Sequence, residues 1–507
     1  MCSNITGDLD LNGASSDDTP SDTRSTTSLS STTVSTGTLT TGRHHLLVLS
    51  GHTAGSLTQV SERIVKYAEG HPNRLGDLAY TLRSQHEQLA YRSYAVASDG
   101  GTEVSVKMSP AVQVKDSNPV CNFIFTGQGA QWARMGAELL SDFPGFRKSI
   151  QAMDNALQHV PNPPPWTIEA QLCLPEGESR VNEPEFVQPL CTAIQIGLAD
   201  VLRSAGVKPA AIGSHSGGDV AAAYAAGALT QREAITIAYY IGQVSKDHSR
   251  NGGLVAVRLG REDVTPFLPA HVSEGVAIVA CDNSPNSVTL SGDNDTLETV
   301  MQKIKASKPD CLVRRLQVDK AYHSELMNDV AGYYEGVLAP LLSPATPKIP
   351  LYSSVTGKRI TTEEPVGASH WRKNLASPCY FYSSIQQMLE ATMEPSKPLV
   401  LLEVGPQPAL PGPIRDIIKG MGAEFSGTAL TYATTLVRKQ HATQAFLSSL
   451  GQLHQVSVSV DLENIARSMA PPGAEYQPSV LSDLPRSEPP QTIEHEVFEF
   501  SSDEDED

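Results

Sequence analysis

An α/β protein in which a small subdomain interrupts a larger one is the fold class the sequence predicts, and three observations predict it. A buried-strand, glycine-turn, helix unit occurs at "VCNFIFTGQGAQWARMG" and again at "KPAAIGSHSGGDVAAAYAAG". Such units imply a largely parallel sheet with helices on its faces. Between about residues 252 and 324 the rhythm changes. There "GLVAVRLG", "GVAIVACDN", "SVTLSG" and "CLVRRLQV" read as strands, with helices at "REDVTPFLPA" and "NDTLETVMQKIKAS", which is the βαββαβ order of a ferredoxin-like unit. After it, "PLVLLEVGPQPAL" returns to the buried-strand pattern. The large subdomain is therefore split by a small one, and the cleft between them is the expected ligand site.

Taken in order, residues 1–44 are dominated by Ser, Thr and Gly and read as a disordered leader, because they offer almost nothing to a core. Order is expected to begin at "HHLLVLSG", a strand, followed by a helix with Leu57, Val60, Ile64, Val65 and Ala68 on one face. A second amphipathic segment, "LGDLAYTLRSQ", and the strand "YRSYAVAS" complete a small α/β linker domain over residues 45–117. The polar "SDGGTEVSVKMSPAVQVKDSNP" reads as a connection. The large subdomain is expected over 118–251 and 325–430, the small one over 252–324, and a second linker over 431–475. Residues 476–507 end in "EHEVFEFSSDEDED", whose eight acidic side chains mark a disordered, solubilising tail.

Composition excludes several classes. At 507 residues the chain has room for two to four folding units, taking about 150 residues each. A net charge of −18 argues against nucleic acid as a partner, since neutralising phosphates needs a basic surface. No long apolar run points to a membrane span. The first residues lack the order of a secretory signal. The seven cysteines are scattered without metal-ligand spacing, so no metal is expected and reduced thiols in a cytoplasmic compartment are.

The stretch "AAIGSHSGGDVAAAYAAG" places Ser216 at a strand-to-helix turn. Small flanking residues let such a turn close and aim a hydroxyl at a cleft, the geometry of an α/β-hydrolase-like subdomain. The pattern is S-x-S-x-G, with Ser214 in the first glycine position. On this motif alone Ser216 reads equally as a nucleophile or as a cap of the following helix. Free N–H groups from Gly217 onward would stabilise an oxyanion formed at Ser216. The candidate base is His323 in "DKAYHSELM", where the chain re-enters the large subdomain, whereas strand alternation points His215 away from the cleft. "FTGQGAQ" lacks both the full dinucleotide fingerprint and the phosphate-loop lysine. Its glycines around Gln128 would instead let a backbone N–H approach a reacting carbonyl oxygen.

Together "FIFTGQGAQWARMG", "QPLCTAIQIGLADVLRSAGVKPAAIGSHSGGDVAAAYAAGAL", "ACDNSPNSVTLSGD" with "AYHSELM", and "WRKNLASPCYF" with "LLEVGPQPALPGPI" resemble the acyltransferase domain of iterative fungal polyketide synthases. These are relatives of the malonyl-CoA:acyl-carrier-protein transacylases. The resemblance extends from about residue 45, where "LLVLSGHTAGSL" is similar to the linker before that domain, to about residue 485, where "VLSDLP" is similar to the linker after it. It implies Ser216 as acyl-accepting nucleophile and His323 as general base, a dyad with no acidic third member. It places the orienting backbone carbonyl on Asn374 and the oxyanion hole on the amides of Gln128 and Gly217. It implies no permanently bound cofactor, an acyl-CoA or acyl-phosphopantetheine thioester as substrate, and an acyl-carrier protein or polyketide synthase as partner.

Two positions depart from the family. Its usual YYRG segment reads "YYIG" here, so Ile241 stands where an arginine would pair a malonyl carboxylate. Malonyl units are then expected to be poor substrates unless another cation such as Arg250 enters the pocket. Tyr322, beside the base, is the second residue expected to shape acyl choice. At the elbow, Gly213 and Ser214 replace a β-branched residue and a glycine: the turn is either retuned or degenerate. No ketosynthase, reductase or carrier motif is present. The expectation is a free-standing, trans-acting acyltransferase that moves a monocarboxylic acyl group, or a fragment of a synthase. An editing thioester hydrolase and a non-catalytic docking protein are the alternatives.

Overall fold

The computed structural model describes residues 42–469 apart from 85–87, 101–103, 115–117, 249–250, 395–396 and 423–427. The leader up to residue 41, the acidic tail and Arg250 lie outside the described residues. The strands are β1 (His44–Gly51), β2 (Tyr91–Ser98), β3 (Val112–Gln113), β4 (Val120–Phe125), β5 (Ala211–Ser214), β6 (Gly253–Val257), β7 (Ala277–Ser284), β8 (Ser287–Gly292), β9 (Val313–Arg315), β10 (Leu351–Ser353), β11 (Lys358–Arg359), β12 (Leu399–Val404) and β13 (Leu430–Thr434).

The linker sheet is antiparallel in the order β1-β2-β3. Two helices, Ala54–Gly70 and Leu75–Ser84, cover it. Thr53 starts the first with a reciprocal cap to Ser56, which satisfies an otherwise free N–H. Leu57, Ile64 and Ala68 are buried as expected, while Val60 and Val65 are only half-buried and Tyr67 joins the core. Residues 98–119, expected to form a polar connection, in fact carry β3 and bury Val104 and Val106 in the linker core. The run is too short and too mixed for its alternation to show.

The large sheet has the order β11-β10-β5-β4-β12-β13 and is parallel from β10 to β13, with β11 antiparallel at its edge. Helices cover both faces, so the central strands must be apolar on both sides. Every residue of β12, "LVLLEV", is buried accordingly. The boundary expected at 430/431 falls inside β13, which pairs with β12 as a strand of this sheet. The helix that follows, Ala442–Gln455, turns back onto the linker sheet. There Gln455 Nε2 donates to the carbonyls of Arg92 and Pro110, at 3.0 and 2.6 Å.

The small subdomain is antiparallel in the order β7-β8-β6-β9. Numbered within the subdomain this is 2-3-1-4, the ferredoxin-like arrangement. Its first helix is shorter than expected, Arg261–Val264 extended by one tight turn to Phe267, because Pro266 cannot continue an α-helical ladder. Val255, Val288, Leu290, Leu297 and Ile304 form its separate core.

Candidate active site

β5 ends at Ser214, and the helix Gly218–Ala225 starts four residues later. Ser216 lies in the turn with φ of 52°, the left-handed region that a side chain occupies only when its surroundings hold it there. The surroundings do so from two sides. Asn374 Nδ2 donates to the Ser216 carbonyl at 3.0 Å, and the Ser216 N–H donates to Ser354 Oγ at 3.1 Å. The loop after β4 comes close enough that a Cβ on Gly127 would lie 2.7 Å from the His215 carbonyl oxygen. Only glycine permits that approach.

Ser216 Oγ stands 2.6 Å from His323 Nε2. His323 is buried and also has positive φ, 61°. Its N–H donates to the Leu375 carbonyl at 3.0 Å, and its Nδ1 meets the Ser377 carbonyl at 3.2 Å. Nδ1 therefore carries the proton and Nε2 is left to accept from the serine. Burial lowers the pKa of His323 below the ordinary imidazole value, which keeps the ring neutral and able to take a proton.

Asn374 acts in two ways. Its backbone carbonyl hydrogen-bonds the His323 ring alongside the Ser377 carbonyl, three residues on, while its side chain clamps the nucleophile's backbone. Gln128 and Gly217 both border the cleft beside Ser216. The Gln128 side chain is held by Gln188 Nε2 at 3.0 Å. Among the described residues neither the Gln128 nor the Gly217 N–H has an acceptor, so both are free to donate to a developing oxyanion.

The cleft between the subdomains encloses about 720 Å³. Ile241 and Tyr322, both buried, form part of its wall. His215 lines it too, contrary to the expectation from strand alternation: the turn at Ser216 breaks the extended backbone on which that alternation depends. Its Nε2 is held by Asn283 Oδ1 at 2.8 Å.

Behind the elbow lies a buried polar network that sequence reasoning missed. Ser214 Oγ donates to Asp219 Oδ1, and Asp219 Oδ2 accepts from Ser353 Oγ at 2.5 Å and from His370 Nε2 at 3.0 Å. Asp219 is fully buried. Gly213 packs closely beside it: a Cβ there would lie 2.6 Å from Ile385 Cδ1, so a larger residue would displace the ends of the Ile385 and Met388 side chains. The unusual Gly213-Ser214 pair is thus built into the packing of the turn. The available signal was an acid inside an alanine-rich, otherwise apolar helix.

Residues 122–460 match the acyl transferase domain family. The chain belongs to that family. Residues 45–103 match a second family, described as the CurL-like C-terminal region of polyketide synthases. This acyl transferase is 42% identical over 443 residues to highly reducing polyketide synthase gloL of Glarea lozoyensis, covering 87% of this chain and 16% of that protein. It is 39% identical over 409 residues to squalestatin hexaketide synthase of a Phoma species, covering 80% of this chain and 15% of that one. The chain thus spans about a sixth of the length of these relatives and is homologous to their acyltransferase region.

Solved structures agree. The acyltransferase domain of module 8 of the salinomycin polyketide synthase superposes with a TM-score of 0.70 at 25% identity, covering 83% of this chain and 98% of that one. A loading acyltransferase from the avermectin synthase does so with a TM-score of 0.58 at 29% identity, covering 66% of this chain and 99% of that one. The acyl transferase is therefore an acyltransferase of the polyketide synthase type. Among its described residues no helix is long and apolar enough to cross a membrane.

Proposed function

We propose that this chain moves a monocarboxylic acyl group from a thioester, through an ester on Ser216, to the thiol of a carrier protein or to a small-molecule acceptor of polyketide biosynthesis, acting in trans on a synthase in the cytoplasm. The observation that carries the reading is the 2.6 Å contact between Ser216 Oγ and His323 Nε2 at the wall of the cleft. In the first half-reaction Oγ bonds to the thioester carbonyl carbon while its proton passes to Nε2. The oxygen of the tetrahedral intermediate accepts from the Gln128 and Gly217 N–H groups. The C–S bond then breaks, and the departing thiolate takes the proton from His323. The second half-reaction runs in reverse with the acceptor's thiol or hydroxyl as attacking group. No resident cofactor enters these steps.

Ile241 supports the monocarboxylic preference. It is 3% exposed and borders the cleft, where it contacts an alkyl chain but leaves a carboxylate unpaired. Such an unpaired buried charge costs on the order of 2 to 5 kcal/mol. The guanidinium groups that do border the cleft, Arg314, Arg315 and Arg438, are solvent-exposed, where an ion pair contributes only about 0 to 1 kcal/mol.

Intact-mass analysis after incubation with acetyl-, hexanoyl- and malonyl-CoA tests the reading. An adduct that persists until a carrier protein is added supports transfer. An adduct that turns over without acceptor makes the chain a hydrolase, and none with any donor makes it a docking protein.

A further inference from the structure

At the wall of the cleft and just behind it stands a group of side chains with no part in the steps above. His215, Cys281 and Cys379 offer a ring nitrogen and two sulfurs that all lie within 4.8 Å of one another. They come from three separate elements: the elbow, β7 of the small subdomain, and the approach to the helix Phe381–Thr392. Each is pinned. Cys281 and Cys379 face each other as a parallel bridge, with the Cys379 N–H donating to the Ala280 carbonyl at 2.7 Å and the Asp282 N–H donating to the Cys379 carbonyl at 2.9 Å. The His215 ring is held by Asn283 at 2.8 Å and packs against the Phe381 ring at 5.1 Å between centroids. Both cysteines are buried and unoxidised, and His215 and Cys281 line the cleft, which gives an ion a path inward.

Two thiolates and one imidazole are a ligand set for a borderline-soft divalent cation such as Zn²⁺. With metal–sulfur bonds of about 2.3 Å and metal–nitrogen bonds of about 2.0 Å, tetrahedral ligand atoms stand roughly 3.5 to 3.8 Å apart. Closing the group from its present span takes shifts of roughly 1 Å. We propose that His215, Cys281 and Cys379 form a binding site for a Zn²⁺-class cation, its fourth coordination position open to the cleft beside Ser216. Binding releases the two thiol protons as the two sulfur–metal bonds form. A cation there fills the acyl path and fixes the ring next to the nucleophile, so occupancy stops acylation. That consequence rests on the acyl-transfer reading; the binding itself does not.

The test uses the 507-residue chain, reduced and stripped with chelator. Titration with Co²⁺ is expected to give the near-ultraviolet sulfur-to-metal charge-transfer band at one ion per chain, removed by stoichiometric Zn²⁺. Cys281→Ser and Cys379→Ser are expected to weaken Co²⁺ binding by about 100-fold each, with thermal melts checking that the variants fold. The wild-type band decides the matter even where a variant does not fold. Its absence, or binding unchanged in both variants, overturns the proposal. Co²⁺ held instead by His44, Asp142 and His441, the other group of candidate ligands among the described residues, gives no such band and overturns it equally. So does a Cys281–Cys379 disulfide that forms in peroxide while the reduced protein takes up no metal. In a separate assay Zn²⁺ is expected to suppress the Ser216 adduct by at least about 10-fold, reversibly with chelator. A metal-free chain that forms no adduct counts against the acyl-transfer reading and leaves the band as the measure of the site.

Discussion

The hydroxyl of Ser216 and the imidazole of His323 meet at 2.6 Å across 107 residues of sequence, and both residues hold left-handed backbone. Each such residue stores on the order of 1 to 3 kcal/mol of strain, held here by the Asn374, Ser354 and Leu375 hydrogen bonds. Ser216→Ala is expected to abolish the acyl adduct. His323→Ala should slow its formation by about 10² to 10⁴-fold while the far-ultraviolet circular dichroism stays unchanged. Intact mass over a time course reads both, and an adduct persisting in Ser216→Ala would place the nucleophile elsewhere.

Burial lowers the pKa of His323 from 6.5, and the base must be neutral to accept the serine proton. Acylation is therefore expected to hold its rate as pH falls to 6.5 and to decline only below it. Single-turnover acylation across pH 4.5 to 8 checks this, keeping to the range where the wild type stays folded. A midpoint above 6.5 contradicts a desolvated base.

Ile241→Arg restores a two-pronged carboxylate partner in the cleft wall. The wild type is expected to label with acetyl or hexanoyl groups ahead of malonyl, and the variant to shift toward malonyl by about 10-fold or more. Competition labelling with equal concentrations of the three donors measures the ratio. Malonyl-Ser216 as the dominant wild-type adduct sinks the idea.

Asp219 ties the elbow to β10 and to the helix Ala368–Ala376 through Ser214, Ser353 and His370. Asp219→Ala leaves several buried polar groups without their acceptor. It should cost roughly 3 kcal/mol of stability, with Asp219→Asn costing less because one acceptor oxygen remains. Denaturant midpoints with unchanged slopes are the readout. Equal stability of Asp219→Ala and wild type would show the network to be slack.

Glu403, at the end of β12, accepts from the Tyr432 hydroxyl at 2.5 Å and from the N–H groups of Ala409 and Leu410 at 2.7 and 3.2 Å, yet burial raises its pKa from 4.5 to about 7. The folded chain thus keeps a proton that the unfolded chain releases between these values. Stability from this group is full below pH 4.5 and declines as pH rises through the window to about 7, by roughly 3 kcal/mol at most. Glu403→Gln mimics the protonated acid and should flatten that part of the profile. Melting of wild type and variant at pH 5 and pH 8 gives the comparison, and parallel profiles would rule the assignment out.

The features legible in the sequence are local. The strand-turn-helix units, the βαββαβ run and the tight turn at Ser216 are written in neighbouring residues, because a period of 2 or 3.6 and a pair of small residues act over a few positions. The short β3 and the half-apolar β13 leave no such signal, and their residues look like a connection and a linker. Pairings between distant segments exist only in the folded chain: Ser216 with His323, Asp219 with His370, His215 with Cys281 and Cys379. The ring of His323 rests on the Ser377 carbonyl, a backbone atom that any residue supplies, so no residue type marks it in the sequence. The scattered cysteines carry no ligand spacing, yet β7 and the loop before Phe381 bring two of them together. Such contacts form when whole elements pack and bury their apolar faces, and that packing is set by the sum of the core and not by any stretch of chain.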